Sequence, residues 1–177
     1  MSRPTYETEE SLAAEQEVAE AVCRVRQCEY RKLAPHHPLD YFLLKEDADP
    51  LRKKPSGVAY MEVKVRTVSM AQIAAWGGYM LSANKWERAQ SFCKSGGVEL
   101  ILAVRMTDGI YTACWWAPET YPSEWKGRTD RDDPLDEEVV VIIPVTKFKK
   151  LVCPPGTLSS PAVQEGPPVN QTDWTMR

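Results

Sequence analysis

Apolar residues at Leu12, Val18, Ala19, Val22 and Val25 recur at helical spacing and predict a first helix from Thr8 to Arg26. Thr8 suits an N-cap, and Glu9 and Glu10 fall in the first turn, where the helix dipole favours negative charge. Short extended pieces follow. Cys28 to Leu33 reads as one strand and Asp40 to Lys45 (DYFLLK) as another, separated by a proline-bearing stretch that cannot be helix interior. Glu46 to Gly57 reads as a hairpin loop, and Val58 to Arg66 then alternates. Val58, Tyr60, Glu62, Lys64 and Arg66 share one face of that strand; Ala59, Met61, Val63 and Val65 share the other.

Beyond it, Ala71 to Trp76 has room for a turn or two of helix before Gly77-Gly78, within a stretch (67–81) that is otherwise ambiguous. Ser82 is read as the N-cap of a second long helix that runs to about Lys94 and stops at Gly96-Gly97. Val98 to Arg105 is a strongly apolar strand, turned at Thr107-Asp108-Gly109 into a return strand from Ile110 to Trp116. Ala117 to Glu138 reads as an irregular acidic loop, Val139 to Val145 as the last strand, and Lys147 to Leu151 as a short amphipathic piece. The expected organisation is a flexible start over 1–7, one domain over 8–152 and a Pro-rich disordered tail over 153–177.

Composition narrows the class. The 177 residues are 43% hydrophobic and 27% charged, which suits a soluble globular domain and excludes a collagen-like or fully disordered chain. No apolar run approaches the roughly 18 residues of a membrane helix, and the acid-rich N-terminus does not read as a targeting peptide. A cytoplasmic protein with no membrane contact is expected. Five cysteines without a C-x-x-C pair suit a reducing compartment, and adjacent His36 and His37 do not supply zinc-ligand spacing. With a net charge of −3, phosphate contact has to come from local patches. Candidates are Arg52, Lys53 and Lys54 at the hairpin tip, Arg66 after the alternating strand, and a second group of Arg24, Arg26, Arg31 and Lys32.

Four charged residues sit where the pattern wants apolar ones. Glu15 falls within the stripe of the first helix, and Lys85 lies between Ala89 and Phe92 in the projection of the second. Glu62 and Lys64 point to one spot because residues two apart on a strand share a face, and Asp40 on the neighbouring strand can reach it. Each has an ordinary explanation as a solvated or paired side chain. Together, two carboxylates and a lysine are the set a magnesium-dependent phosphodiesterase uses: oxygen donors for a hard cation, and an ammonium for water or phosphate.

These residues resemble the PD-(D/E)XK, or restriction-endonuclease-like, nuclease superfamily. The matching text is Pro38-Leu39-Asp40 and Glu62-Val63-Lys64, with Glu15 before and Lys85 after, over about residues 8–116. The local wording is similar to small phage-type nucleases and Holliday junction resolvase-like proteins. Leu39 separates Pro38 from Asp40, and the interval from Asp40 to Glu62 is long; a long hairpin loop accounts for the second departure.

The resemblance implies an α/β fold with an αβββαβ core, a central mixed sheet flanked by helices, and an additional C-terminal strand. It implies that Asp40, Glu62 and the backbone carbonyl of Val63 hold Mg2+, with Mn2+ as a substitute, and that Lys64 positions or activates water. Glu15 would bind the metal through water or hold a second ion, and Lys85 would touch the scissile phosphate. The implied function is metal-dependent endonucleolytic hydrolysis of DNA, on branched or phage DNA. The alternative is a catalytically inactive nuclease-fold protein that binds DNA or protein, and RNA is a third reading of the substrate. A homodimer could use Trp76, Tyr79 and Met80, although these fit the core better, and the Pro-rich tail with Trp174 could dock on a protein partner.

Overall fold

The computed structural model describes residues 8–35, 37–45, 56–127 and 137–152. The expected flexible start, hairpin tip and Pro-rich tail lie outside them. The order is α1 (Glu9–Arg26), β1 (Glu29–Lys32), β2 (Tyr41–Lys45), β3 (Ser56–Val65), α2 (Met70–Ala75), β4 (Tyr79–Ser82), α3 (Ala83–Gly96), β5 (Glu99–Met106), β6 (Gly109–Trp115), β7 (Ser123–Gly127), β8 (Glu137–Ile143) and β9 (Lys149–Lys150). The expected αβββαβ order is present, with α2 and β4 inserted before α3.

A six-stranded sheet runs β1-β2-β3-β5-β6-β9. It is mixed: β3 pairs parallel with β5, and its other neighbours pair antiparallel. Parallel neighbours require a crossover, and α2, β4 and α3 supply it. One face packs on α1 through Val18, Ala19 and Val22 against Met61, Val63, Ile101 and Ala103. The other packs on α3 and a second sheet, through Trp86, Ala89, Leu102, Trp115 and Ile143. The result is a central mixed sheet flanked by helices, as the resemblance implied.

Local chemistry explains the helix ends. Thr8 Oγ1 accepts from the Ser11 N–H at 3.1 Å and Ser11 Oγ accepts from the Thr8 N–H at 3.0 Å, a reciprocal cap that starts α1 as expected. α2 carries the same device between Ser69 and Gln72. Ser82 occupies the N-cap position of α3 but makes no capping bond; its hydroxyl donates instead to Glu138 Oε2 at 2.6 Å. Gly97 ends α3 in the left-handed region, φ 61°, which glycine adopts without a Cβ clash.

Five expectations need correction. The acidic loop is not irregular throughout, because Ser123–Gly127 is a strand paired with β8. Within the ambiguous 67–81 stretch, Tyr79–Ser82 is a strand, also paired with β8. The last strand read at 139–145 is β8 (Glu137–Ile143), which lies in a separate three-stranded sheet, β4-β8-β7, and is followed by β9. The Lys147–Leu151 piece is a single 3-10 turn (Val145–Lys147) followed by the short edge strand β9. The buried part of α1 is shorter than the stripe read off the sequence: Leu12 and Val25, toward its ends, are exposed, while Ala21 and Cys23 are buried. Trp76 and Met80 are half-buried and Tyr79 is buried, in keeping with their place in the core rather than on an open face.

Candidate active site

Antiparallel pairing of β2 with β3 sets Tyr41 opposite Met61, so Asp40, one step earlier, flanks Glu62. Two bonds fix it there. The Asp40 N–H donates to the Met61 carbonyl at 3.2 Å, and Asp40 Oδ2 accepts from the Val63 N–H at 2.8 Å. The second bond attaches the aspartate to the backbone between Glu62 and Lys64. Leu39, the residue that separates Pro38 from Asp40, is buried and anchors this approach in the core.

Glu62 is 2% exposed. The alternation of β3 therefore does not mark a solvated face: Glu62 lies beneath α3, between Tyr60 and Lys64. Its Oε1 is 2.6 Å from Lys64 Nζ and also meets Lys85 Nζ, which α3 extends from its first turns. Neither contact has hydrogen-bond geometry, and Oε2 has no hydrogen-bond partner at all among the described residues. Burial is the largest influence on this carboxyl and raises its pKa; Lys64 lowers it, Asp40 raises it and Lys85 lowers it, with a net rise. For Lys64, burial opposes the charge, but Glu62 and Asp40 outweigh it and leave the pKa raised.

An ionised carboxylate taken out of water costs several kcal/mol unless it is fully paired. Here one oxygen is shared by two ammoniums and the other is bare. Two adjacent carboxylates with an unpartnered buried oxygen are hard donors suited to a small divalent cation completed by water or phosphate oxygens. The residues fit such an ion. Among the described residues no group of three or more His, Cys, Asp or Glu side chains is arranged to hold a metal.

The other expected residues divide. Glu15, half-buried on α1, pairs with Lys32 Nζ at 2.9 Å, and Lys32 lies 4.5 Å over the Tyr41 ring. Lys32 in turn feels both Glu15 and Asp40, so Glu15 borders the site through an intervening ammonium. Arg26 makes a fork onto buried Glu99, with Nη2 to Oε1 at 3.3 Å, and is committed there. Arg24 and Arg31 are exposed. Arg66 is exposed, with its guanidinium 5.8 Å from the Tyr79 ring. Arg52, Lys53 and Lys54 lie outside the described residues.

Sequence reasoning missed Glu99 as a buried ion-pair partner and Tyr79 as a neighbour of the site. Tyr79 is 1% exposed, its hydroxyl has no hydrogen-bond partner among the described residues, and it senses Arg66, Lys64 and Glu62. A tyrosine after Gly77-Gly78 carries no sign of this, because the strand that holds it pairs only with distant β8.

The central mixed sheet flanked by helices is that of a restriction-endonuclease-like fold. The family described as "Phage putative PDDEXK endonuclease" matches residues 1–151. The chain belongs to this family. No curated protein matches the chain. Among solved structures it is similar to Hjc, a Holliday junction resolvase from the archaeal hyperthermophile Archaeoglobus fulgidus, at 14% identity and a TM-score of 0.37, over 56% of this chain and 70% of that one. No helix among the described residues is long and apolar enough to cross a membrane.

Proposed function

We propose that the protein is a divalent-metal-dependent endonuclease that hydrolyses phosphodiester bonds in DNA at the Asp40–Glu62–Lys64 site. One observation carries the reading: a buried carboxylate, Glu62, with an oxygen left bare beside a second carboxylate and two lysines. Membership of the endonuclease family supports the reaction class. Asp40 and Glu62 would hold Mg2+, or Mn2+ in its place, with the Val63 carbonyl adjacent. When bound, the ion supplies an activated water and offsets charge on the phosphorus.

The chain's own side chains do the rest. Lys64, kept as an ammonium by its carboxylate neighbours, is suited to orient the attacking water and face the charge that develops on phosphate, not to remove a proton. Lys85 approaches from α3 and is placed to contact a phosphate oxygen once the carboxylates face the cation. Asp40 is held in register by the Val63 N–H, so the donor pair is set before substrate arrives. Glu15 orders Lys32 at the edge of the site, and Arg66 with the 52–54 basic run would take flanking phosphates.

The test is cleavage of labelled duplex, nicked, forked, four-way-junction and single-stranded DNA in Mg2+, in Mn2+ and in EDTA, with Lys64→Ala alongside. Metal-dependent products from the wild type alone support the reading and name the substrate. An absence of products on every substrate, with both proteins folded, contradicts it.

A further inference from the structure

The strand pair that holds the carboxylates continues directly into a group of aromatic rings. Phe42 pairs in register with Tyr60, two residues from Asp40 and Glu62 respectively, and so shares their face. The two rings have centroids 4.7 Å apart. His37 stacks on Tyr60 at 5.6 Å with 22° between planes, and Phe92 closes the group at 4.8 Å from His37 and 6.2 Å from Tyr60. The His37 ring is pinned by the Leu39 N–H, which donates to Nδ1 at 3.1 Å.

α3 runs over both groups. Lys85 meets Glu62 near its start, and Phe92, two turns later, meets His37 and Tyr60. Two rungs therefore lie side by side, about 7 Å apart at two strand residues. The first is ionic: Asp40, Glu62, Lys64 and Lys85. The second is aromatic: Phe42, Tyr60, His37 and Phe92. The aromatic rung is not sealed into the core. Phe92 is 40% exposed, and Phe42, Tyr60 and His37 are half-buried. The Phe42 ring needs the absence of a side chain at Gly57, where a Cβ would fall 2.0 Å from it.

We infer that the aromatic rung is a stacking platform for an unpaired nucleobase one nucleotide from the scissile phosphate, which makes the preferred substrate DNA with single-stranded character at the cut. This rests on the phosphodiesterase reading and goes further by naming the substrate class. A partly exposed aromatic surface next to a cationic phosphate site matches both halves of a nucleotide. Bases inside a continuous duplex have both faces covered by their neighbours, so only an unstacked base can use this surface. Neighbouring Lys64 and Lys85 supply charge complementary to the phosphate that follows.

The test separates binding from cutting by working in EDTA with the full chain. Forked DNA carrying 2-aminopurine at successive unpaired positions is titrated with wild type, Phe92→Leu, Tyr60→Leu and a Leu12→Ala control, each checked by circular dichroism and melting. Stacking predicts quenching at one or two positions nearest the fork. In Phe92→Leu and Tyr60→Leu the quenching is lost and forked DNA binds roughly tenfold more weakly, with continuous-duplex binding unchanged. Leu12→Ala, at an exposed position on α1 away from both rungs, retains the quenching and the affinity. Absence of quenching in the wild type, or full affinity and quenching in both aromatic variants, overturns the inference even if the enzyme cuts DNA. Quenching without cutting in Mg2+ upholds the platform and contradicts the nuclease reading instead.

Discussion

Lys85 is one of two counter-ions to a buried carboxylate, and its removal makes a quantitative test of that electrostatics. Lys85→Met keeps the apolar stem and deletes the ammonium. Rupture of a buried ion pair costs about 3–5 kcal/mol when the surviving charge is left alone. Glu62 is not left alone, since Lys64 stays 2.6 Å away, and the Lys85 side chain is 29% exposed. The cost falls to about 1–2 kcal/mol, or a melting temperature lower by roughly 3–6 °C for a domain of this size. Its dependence on pH is the sharper signature. Glu62 has a folded pKa raised above 4.5, so its ionisation works against folding, and stability is lost as pH rises through the folded value. Deletion of Lys85 removes an influence that lowers that pKa and so raises it further. The difference between variant and wild type should vanish well below 4.5, where Glu62 is neutral in both, and open as pH rises through its folded value. Melting in EDTA across pH measures this. A gap of equal size in acid and above neutrality, or none at any pH, would refute the reasoning.

Three further outcomes follow. Divalent metal should stabilise the wild type by about 2.7 kcal/mol at a hundredfold excess over Kd, read as a rise in melting temperature, and Glu62→Ala should lose that rise. Tyr79→Phe deletes a buried hydroxyl that has no hydrogen-bond partner among the described residues, so thermal melting should show it unchanged or slightly more stable. Ile101→Ala, at a fully buried position between α1 and the sheet, should cost about 2–5 kcal/mol by denaturant unfolding.

Much of the central sheet was legible because its signals are local. The cap at Thr8, the alternation of β3 and the turn at Thr107–Gly109 each act within a few residues, and the carboxylate pair follows from one hairpin register. What escaped depends on long-range pairing. β4 and β7 are short, and each becomes a strand only because β8 lies between them, far along the chain from β4 and beyond a loop from β7. Leu12 and Val25 looked like core because helical periodicity gives a stripe but not its extent, and the sheet covers only the middle of α1. The burial of Glu62 was likewise invisible: an E-x-K on an alternating strand reads as solvated until α3 is laid across it. Glu15 was read as a helper at the metal or an arginine's partner and Arg26 as part of a phosphate-binding group, whereas tertiary contacts commit them to Lys32 and Glu99.

The most direct measurement is the single-turnover cleavage rate of the preferred DNA in Mg2+ by wild type, Asp40→Asn, Glu62→Gln and Lys64→Ala. Asparagine at 40 retains an oxygen for the Val63 N–H and glutamine at 62 retains the shape, so these variants remain folded while the donor charge is lost. Each substitution is predicted to slow cleavage at least a hundredfold (about 2.7 kcal/mol in the barrier), with wild type equally silent in EDTA. Cleavage at the wild-type rate by any two of the three folded variants, or cleavage that persists in EDTA, would contradict the assignment of this site.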